Sequence, residues 1–196
     1  MRNEISEHIY TIAYEATEYP QALKLIKDPP QQLYCIGKAA LLHMPAFAVV
    51  GARKPTEYGK WVAHKIGQRL AENDIVTVSG MAAGIDSFAH KGALAAGGPT
   101  LAVLGCGIDL CFPSSNRRLL AEIKKSGLVI SEYPPGYPPA KFTFPRRNRM
   151  ISGLCLGTVV VEAGMRSGSL ITAELAAEQG RSVYAVPGNI TSPMSL

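Results

Sequence analysis

Cations and aromatic rings are concentrated in the stretch from Lys141 to Leu154, which reads KFTFPRRNRMISGL. Phosphates attract cations, and unstacked bases stack on flat rings such as those of Phe142 and Phe144. The stretch therefore has the chemistry that a single-stranded nucleic acid requires. Its cations, with no acidic side chain among them, are Lys141, Arg146, Arg147 and Arg149.

A second interpretation of this stretch is structural. Both phenylalanines would then be buried, and the cations would form a solvated rim. Pro145 restricts the backbone of the residue before it, so the segment is predicted to begin as a loop. That prediction is compatible with either interpretation, and the elements around the stretch have to distinguish them.

The composition is that of a globular domain, with 196 residues, 47% of them hydrophobic and 18% charged. Lys and Arg number 20 against 15 Asp and Glu, which gives a net charge of +5. An excess of this size is compatible with a polyanionic partner. It does not by itself identify one.

Two further features concern the cellular compartment. The cysteines match no zinc-binding pattern, so free thiols without a metal or cofactor are expected. The amino terminus is polar, and no run reaches the roughly 18 apolar residues that a membrane-spanning helix needs. We therefore expect a cytoplasmic protein without a membrane anchor. The cysteines are Cys35, Cys106, Cys111 and Cys155.

From Phe47 onward, short β-branched runs alternate with segments of helical period. Such alternation is typical of a parallel sheet covered on both faces. The predicted fold is α/β, with a Rossmann-like, doubly wound, mostly parallel sheet in three layers. The predicted strands are Phe47 to Gly51, Ile75 to Gly80, Leu101 to Gly105, Leu128 to Ser131, Thr158 to Glu162 and Ser182 to Val186. The predicted helices are Glu57 to Glu72, Gly84 to Ala96, Asn116 to Lys125 and Ser169 to Gln179, the last closed by Gly180.

Residues 1–45 are predicted to form a lead-in that packs on this core. It contains a short helical segment from Gln21 to Lys27 and an apolar segment from Leu33 to Ile36. The Rossmann-like domain is then expected to occupy residues 46–196. Doubly wound sheets bind ligands at the carboxyl ends of their strands, so the loop after each predicted strand is a candidate site.

The loop after Val78 is built from small residues. Ser79, Gly80 and Gly84 allow backbone amides to approach a phosphate at the start of the next helix. The same glycines are equally compatible with tight packing between strand and helix. Asp86 is expected in the first helical turn, where the helix dipole favours a carboxylate and a capping role.

Other strand-end loops have similar properties. The first contains Gly51 and places Arg53 just beyond a strand, with Thr56 as the expected N-cap of the following helix. The loop from Gly164 to Thr172 offers hydroxyls and amides at a helix start, from Ser167, Gly168 and Ser169. The last is Pro187-Gly188-Asn189. Several such loops on one sheet favour a surface that holds several phosphates, or one nucleotide held by several loops.

Two enzyme classes have no support in the sequence. No GxxxxGK[ST] motif is present, so a P-loop for nucleoside-triphosphate hydrolysis is not predicted. No GxSxG elbow is present either, and the histidines do not fall at strand ends, so a Ser-His-Asp triad is not predicted. His90 is expected on a helix face.

With these residues assembled, the chain resembles the DprA family of DNA-processing proteins, also called Smf. The resemblance extends from residue 18 to the end. It rests on GARKPTEYG (51–59), SGMAAGID (79–86), LAVLGCGIDLCFPSSN (101–116), ISEYPPG (130–136), FPRRNRMISGL (144–154), VVVEAGMRSGSLITA (159–173) and GRSVYAVPG (180–188).

The resemblance implies a protein without catalytic activity that binds and protects single-stranded DNA during natural transformation. It also implies loading of the strand-exchange recombinase RecA onto that DNA in recombination, and a homodimer. By position, the DNA-contacting residues would be Arg53, Lys141, Phe144 and the triplet Arg147, Asn148 and Arg149, with the glycine loops facing phosphates. The family's domain normally continues past Leu196, so the chain is expected to be a truncated form of it.

An enzyme remains as the alternative. Rossmann-like phosphoribohydrolases that cleave nucleoside monophosphates use a PGGxGTxxE loop after a strand. The corresponding residues here read EAGMRSGSLITAE, without the paired glycines, and Glu162 and Glu174 do not have the spacing of that motif. A structural interaction module is the third possibility, although it leaves the basic stretch unexplained.

Overall fold

The computed structural model describes residues 8–165 and 167–188. Within them the strands form one eight-stranded sheet in the order β1-β2-β6-β5-β4-β3-β7-β8. The strands are Tyr10–Ala13 (β1), Gln32–Gly37 (β2), Ala46–Val50 (β3), Val76–Ser79 (β4), Thr100–Leu104 (β5), Leu128–Ser131 (β6), Gly157–Val160 (β7) and Ser182–Ala185 (β8). The α-helices are Gln21–Lys24 (α1), Glu57–Ala71 (α2), Ile85–Ala95 (α3), Arg117–Ser126 (α4), Thr143–Gly153 (α5) and Gly168–Glu178 (α6), and Ala39–His43 and Ser114–Asn116 form short 3-10 helices.

Strands β3 to β8 run parallel to one another, whereas β1 and β2 are antiparallel additions beside β6. The chain builds the sheet outward from β3 in one direction, through β4, β5 and β6, and then returns to place β7 on the other side of β3. The strand order thus reverses between β3 and β7. In doubly wound sheets this switch point is where ligands bind.

Helices cover both faces of the sheet. Because strand side chains alternate between faces, neighbouring residues of one strand enter different cores. Ala48 and Val50 of β3 join the core beneath α1, α5 and α6, whereas Val49 joins the core beneath α2 and α3. Helix α4 packs on the latter face through Leu119 and Ile123. The predicted three-layer, mostly parallel, Rossmann-like fold is confirmed.

The predicted strands and helices from residue 46 onward occur within about two residues of their expected bounds. Gly180 has a φ of +70° just after α6, which confirms its role in closing that helix. The prediction for the lead-in lacked β1, and its helix α1 is shorter than expected. Strands β1 and β2 extend the same sheet.

The main difference between prediction and structure is α5. The stretch from Lys141 to Leu154 was predicted only to begin as a loop, and no helix was predicted in it. Thr143 starts the helix, and Pro145 is tolerated in the first turn, where no intrahelical partner for its missing N–H is required. Arg147, Met150, Ile151 and Leu154 follow the spacing i, i+3, i+4, i+7 of a buried helix face. An arginine at the first position disguised that periodicity in the sequence.

Candidate nucleic-acid interface

A cleft of about 760 Å³ opens at the switch point between β3 and β7. Its walls come from the loop after β3, the first turns of α5 and the loop between β7 and α6. The amide of Ala52 donates to the carbonyl oxygen of Glu162 at 2.7 Å, so the loops that leave β3 and β7 are tied together at the base of the cleft. Gly51 lines the cleft at this point.

Exposed cations stand around this cleft. Arg53, Lys54 and Lys141 all line it and are exposed to solvent. Within the described part of the chain, none of these three side chains makes an ion pair or hydrogen bond with another residue. Two of them, Arg53 and Lys141, were predicted site residues, and Lys54 was not. Free cations around a concave surface attract a polyanion.

Arg147 and Asn148 form the buried floor of the cleft. The Arg147 guanidinium donates to the carbonyl oxygens of Gly80, at 2.7 Å, and Val103, which are at the ends of β4 and β5. Burial lowers the pKa of Arg147 to about 10, a fall that the nearby Asp86 opposes, so this arginine stays charged at neutral pH. Asn148 donates through Nδ2 to the carbonyl oxygen of Gly168 at 3.2 Å, which joins α5 to the start of α6.

Arg146 and Arg149 lie outside the cleft lining. Arg149 is buried, and its guanidinium donates to both carboxylate oxygens of Glu132 at 2.8 Å. Arg146 is half-exposed, with its guanidinium 3.6 Å from Glu132 and 3.7 Å from Asp28. The structure therefore separates the predicted basic run into residues that line the cleft and residues that face an acidic pair elsewhere.

The aromatic rings of the predicted stretch also separate. Phe144 lines the cleft and is half-buried against the backbone of Gly105, where an added Cβ would lie 2.8 Å from its ring. Phe142 is 61% exposed and is not part of the cleft lining. A third ring, Phe112, which was not predicted as a site residue, lines the cleft with its centroid 5.3 Å from that of Phe144. It lies in the loop after β5, one of the strand-end loops expected to carry a site.

The loop after β4 is engaged by internal contacts. Ser79 is buried and donates through its hydroxyl to the carbonyl oxygen of Val49 at 2.7 Å. The Gly80 amide donates to Asp86 Oδ2 at 3.1 Å, and the Ala82 amide donates to the same oxygen at 3.3 Å. Asp86 lies in the first helical turn as predicted, and it organises the loop amides. Burial raises the pKa of its carboxyl, which the charge of Arg147 counteracts.

Gly84 has a structural reason to be glycine. Its φ is +80°, and an added Cβ would collide with the carbonyl oxygen of Ala52. Ser79, Gly80 and Gly84 are not among the cleft-lining residues. They bring the loops after β3 and β4 together, and the first of those loops carries Arg53.

The start of α6 faces the cleft. Ser167 is the N-cap of this helix, and its hydroxyl accepts from the Ser169 amide at 3.4 Å. Gly168 is exposed, with open space where a Cβ would stand. Ser167, Gly168 and Ser169 line the cleft, and the positive end of the helix dipole favours an anion there. Arg166 and Asn189, from the predicted loops, lie outside the described residues.

Glu162 holds the N-cap residue of α2 and is not among the cleft-lining residues. Its carboxylate accepts from the Thr56 amide at 2.9 Å and from the Thr56 hydroxyl. Thr56 in turn accepts from the Gly59 amide at 3.1 Å, so its predicted role as N-cap is confirmed. Of the two glutamates considered for the enzyme alternative, Glu162 is thus committed to a helix terminus, whereas Glu174 is exposed on α6.

No group of side chains suited to a metal ion occurs in residues 8–165 and 167–188. The same residues contain no helix that is long and apolar enough to cross a membrane. The four cysteines are free thiols.

A doubly wound sheet with a basic cleft at its switch point places this chain among the Rossmann-like α/β proteins. Residues 10–196 match the family of DNA recombination-mediator protein A, and the chain belongs to that family.

Its relatives include DNA processing protein DprA of Streptococcus pneumoniae, which is 50% identical over 177 residues. Those residues are 90% of this chain and 62% of that protein, so the chain spans about three fifths of the relative. The X-ray structure of the Streptococcus pneumoniae protein superposes with a TM-score of 0.92 at 47% identity, covering 96% of this chain and 66% of the other.

A second structure is that of DNA processing protein A from Helicobacter pylori. It is 32% identical with a TM-score of 0.88, and it covers 95% of this chain and 84% of the other. That protein is described as having a unique single-stranded DNA binding mode.

Proposed function

We propose that this chain binds single-stranded DNA in the cleft at the switch point. Its phosphates bind the exposed cations around the cleft, Arg53, Lys54 and Lys141, which we call the rim cations, and its bases stack on the aromatic side of the cleft, formed by Phe112 and Phe144. The observation that carries the proposal is the convergence of Arg53, Lys141 and the start of α6 around one cleft that also contains Phe144. The single-stranded DNA binding described for the Helicobacter pylori relative supports it.

The aromatic side of the cleft favours single strands over duplexes. A base in a duplex is already stacked on its neighbours, and unstacking it costs a few kcal/mol. A ring can reach the face of a base in a single strand without that cost. The rim cations and the α6 amides meet phosphates of either form, so the preference depends on the rings.

The predicted residues divide into two roles in this proposal. Direct contacts come from residues that line the cleft, namely Gly51, Arg53, Lys141, Phe144, Arg147, Asn148, Ser167, Gly168 and Ser169. Supporting roles belong to Ser79, Gly80, Gly84 and Arg149, because their polar groups or packing serve other parts of the protein. Arg146, half-exposed beside Asp28 and Glu132, belongs with the supporting group.

The proposal extends to the role of a recombination mediator. The bound strand would be protected and presented to a RecA-type recombinase during natural transformation and recombination. Family membership supports this part. The cleft lies at the end of the sheet where the carboxyl termini of β3 and β7 are found. The other surfaces of the molecule remain available to a protein partner.

Self-association as a homodimer is a further part of the proposal. Strand β8 pairs with β7 alone among the described strands, and all four of its residues are exposed. An unpaired strand edge is a template for pairing with another chain, which supports association. Light scattering at several protein concentrations tests it: a mass that rises to twice that of the chain is expected, and a constant monomer mass contradicts this part for the present chain.

Two assays on the same preparation test the binding function. Labelled oligo(dT) and a labelled duplex are titrated over a range of salt concentrations, and release of base from nucleoside monophosphates is measured in parallel. We expect tighter binding of the single strand, an affinity that falls as salt rises, and no turnover. Turnover without oligonucleotide binding would favour the phosphoribohydrolase alternative and end the proposal.

A further inference from the structure

We infer that Phe112 supplies a second, exposed stacking face for a base in this cleft, one that rests on Phe144 and extends its contact surface. The inference rests on the proposed function and adds a base-contacting ring to it. Phe112 comes from the segment between β5 and α4, outside the basic stretch that contains Phe142 and Phe144.

The distance between the rings excludes a base between them. Their centroids are 5.3 Å apart with an angle of 33° between the planes. A base sandwiched between two rings would separate them by at least twice the stacking distance of about 3.4 Å. The two rings therefore form one continuous surface, and a base must stack on an outer face of the pair.

Burial identifies the outer ring. Phe144 is half-buried against the Gly105 backbone, whereas Phe112 is 47% exposed and lines the same cleft. Removing Phe144 would take away the surface on which Phe112 rests. Removing Phe112 would leave the interior of the protein intact.

The loop that carries Phe112 is held in place. Asn116 is buried, and its Nδ2 donates to the carbonyl oxygen of Met81 at 2.8 Å and to the Ser87 hydroxyl at 2.9 Å. These bonds anchor the segment after β5 to the loop after β4 and to the first turn of α3. A loop backbone held in place before binding loses less conformational entropy when a base stacks on the ring that it carries, which strengthens the contact.

Substitutions at the two rings test the assignment, with affinity for labelled oligo(dT) and duplex measured beside the melting temperature. Phe112→Ala should weaken single-strand binding roughly 5- to 150-fold, with the duplex affinity and melting temperature nearly unchanged. Phe112→Tyr keeps a planar ring and should bind as the unaltered protein does. Phe112→Leu keeps the bulk without the ring and should behave as Phe112→Ala.

Phe142→Ala is the matched control, because Phe142 is more exposed still but does not line the cleft. It should leave both affinities unchanged. Phe144→Ala should lower the melting temperature together with single-strand binding, as expected for a ring that both lines the cleft and supports Phe112.

Two results would overturn the inference. Normal single-strand binding by Phe112→Ala contradicts it while leaving the proposed function standing. Full single-strand binding by Phe112→Leu, with the loss confined to Phe144→Ala, would show that the Phe112 ring stacks on no base. Absence of oligo(dT) binding by the unaltered protein is a different result, which removes the proposed function itself.

Discussion

Arg149 and Glu132 form a bidentate ion pair, with Nη1 2.8 Å from Oε1 and Nη2 2.8 Å from Oε2. Both side chains are almost buried, at 9% and 7% exposure. Arg149 also donates through Nε to the carbonyl oxygen of Asp28 at 2.7 Å. One guanidinium thereby fastens α5 both to the end of β6 and to the segment that precedes β2.

Removing Arg149 should therefore affect stability before it affects DNA. Arg149→Gln leaves the buried Glu132 carboxylate with only the longer, 3.6 Å contact to Arg146 and should lower the free energy of unfolding by about 3–5 kcal/mol. Arg69→Gln is the control, since Arg69 pairs with Glu72 on an exposed helix surface, and it should cost about 0.5 kcal/mol or less. Urea unfolding measures both. A stable Arg149→Gln variant with a reduced salt dependence of binding would instead make Arg149 a phosphate contact.

Substitutions of Gly84 and Gly97 test how closely the loops after β3 and β4 approach each other. Both have a positive φ, but a Cβ on Gly84 meets the carbonyl of Ala52, whereas Gly97 has open space around it. Gly84→Ala should cost about 2–6 kcal/mol, from strain and overpacking together. Gly97→Ala should cost about 1–2 kcal/mol, from the backbone conformation alone. Equal losses in urea unfolding would show that the contact with Ala52 is unimportant.

The rim cations should act on phosphates without reading bases. Arg53→Ala and Lys141→Ala should each weaken binding of single strands of any sequence and reduce the salt slope of the affinity by roughly 0.7. Lys65→Ala removes the same charge from the exposed surface of α2, away from the cleft. Lys65→Ala should leave the salt slope unchanged. If all three variants changed the slope equally, the DNA would be responding to the net charge of the protein and not to cations placed at the cleft.

His90 should make stability fall in acid. It is buried on α3, as the sequence predicted for a helix face, and its Nδ1 lies 2.7 Å from the Thr100 hydroxyl. That hydroxyl donates its proton to the carbonyl oxygen of Thr77, so Nδ1 is the donor and the neutral ring leaves Nε2 unprotonated. Burial, aided by the charge of Arg147, lowers the pKa of His90 from 6.5 to about 3.

The sign of the pH effect follows from this depressed pKa. Between pH 6.5 and 3 the unfolded chain binds the proton and the folded chain does not, so this contribution to stability is present above pH 6.5 and lost as the pH falls. The loss should be about 1.4 kcal/mol per pH unit. His90→Gln cannot titrate and should show a shallower fall in urea unfolding across this range. Parallel curves for the two proteins would contradict the assignment.

The sequence alone was sufficient for the six parallel strands because they are specified locally, whereas β1 was not predicted. Runs such as Phe47 to Gly51 and Leu128 to Ser131 are apolar, short and bounded by turn residues, and they were found with nearly their observed bounds. The switch point was not visible in this way. It depends on β7 returning to the far side of β3, a pairing between segments more than a hundred residues apart.

The candidate site shows the same division. Composition located the cations and rings of the stretch from Lys141 to Leu154, and the carboxyl ends of the strands located the loops with Gly51 and Ser167. Phe112 was passed over because one aromatic residue in a strand-end loop has no pattern of its own. Only its position 5.3 Å from Phe144, on an element distant in sequence, gives it a candidate role.

What only the tertiary structure decided is which arginine meets the cleft. The sequence gives no reason to distinguish Arg147 from Arg149, since both are cations of the same basic stretch. In α5, however, each residue is rotated by about 100° from the one before, so side chains two positions apart point to nearly opposite sides of the helix. Arg147 is thereby directed to the carbonyls of Gly80 and Val103 at the floor of the cleft, and Arg149 to Glu132. The sequence determined that these charges exist close together. Their separation required a helix, a sheet on one side of it and an acidic partner on the other, and the fold alone brings those three together.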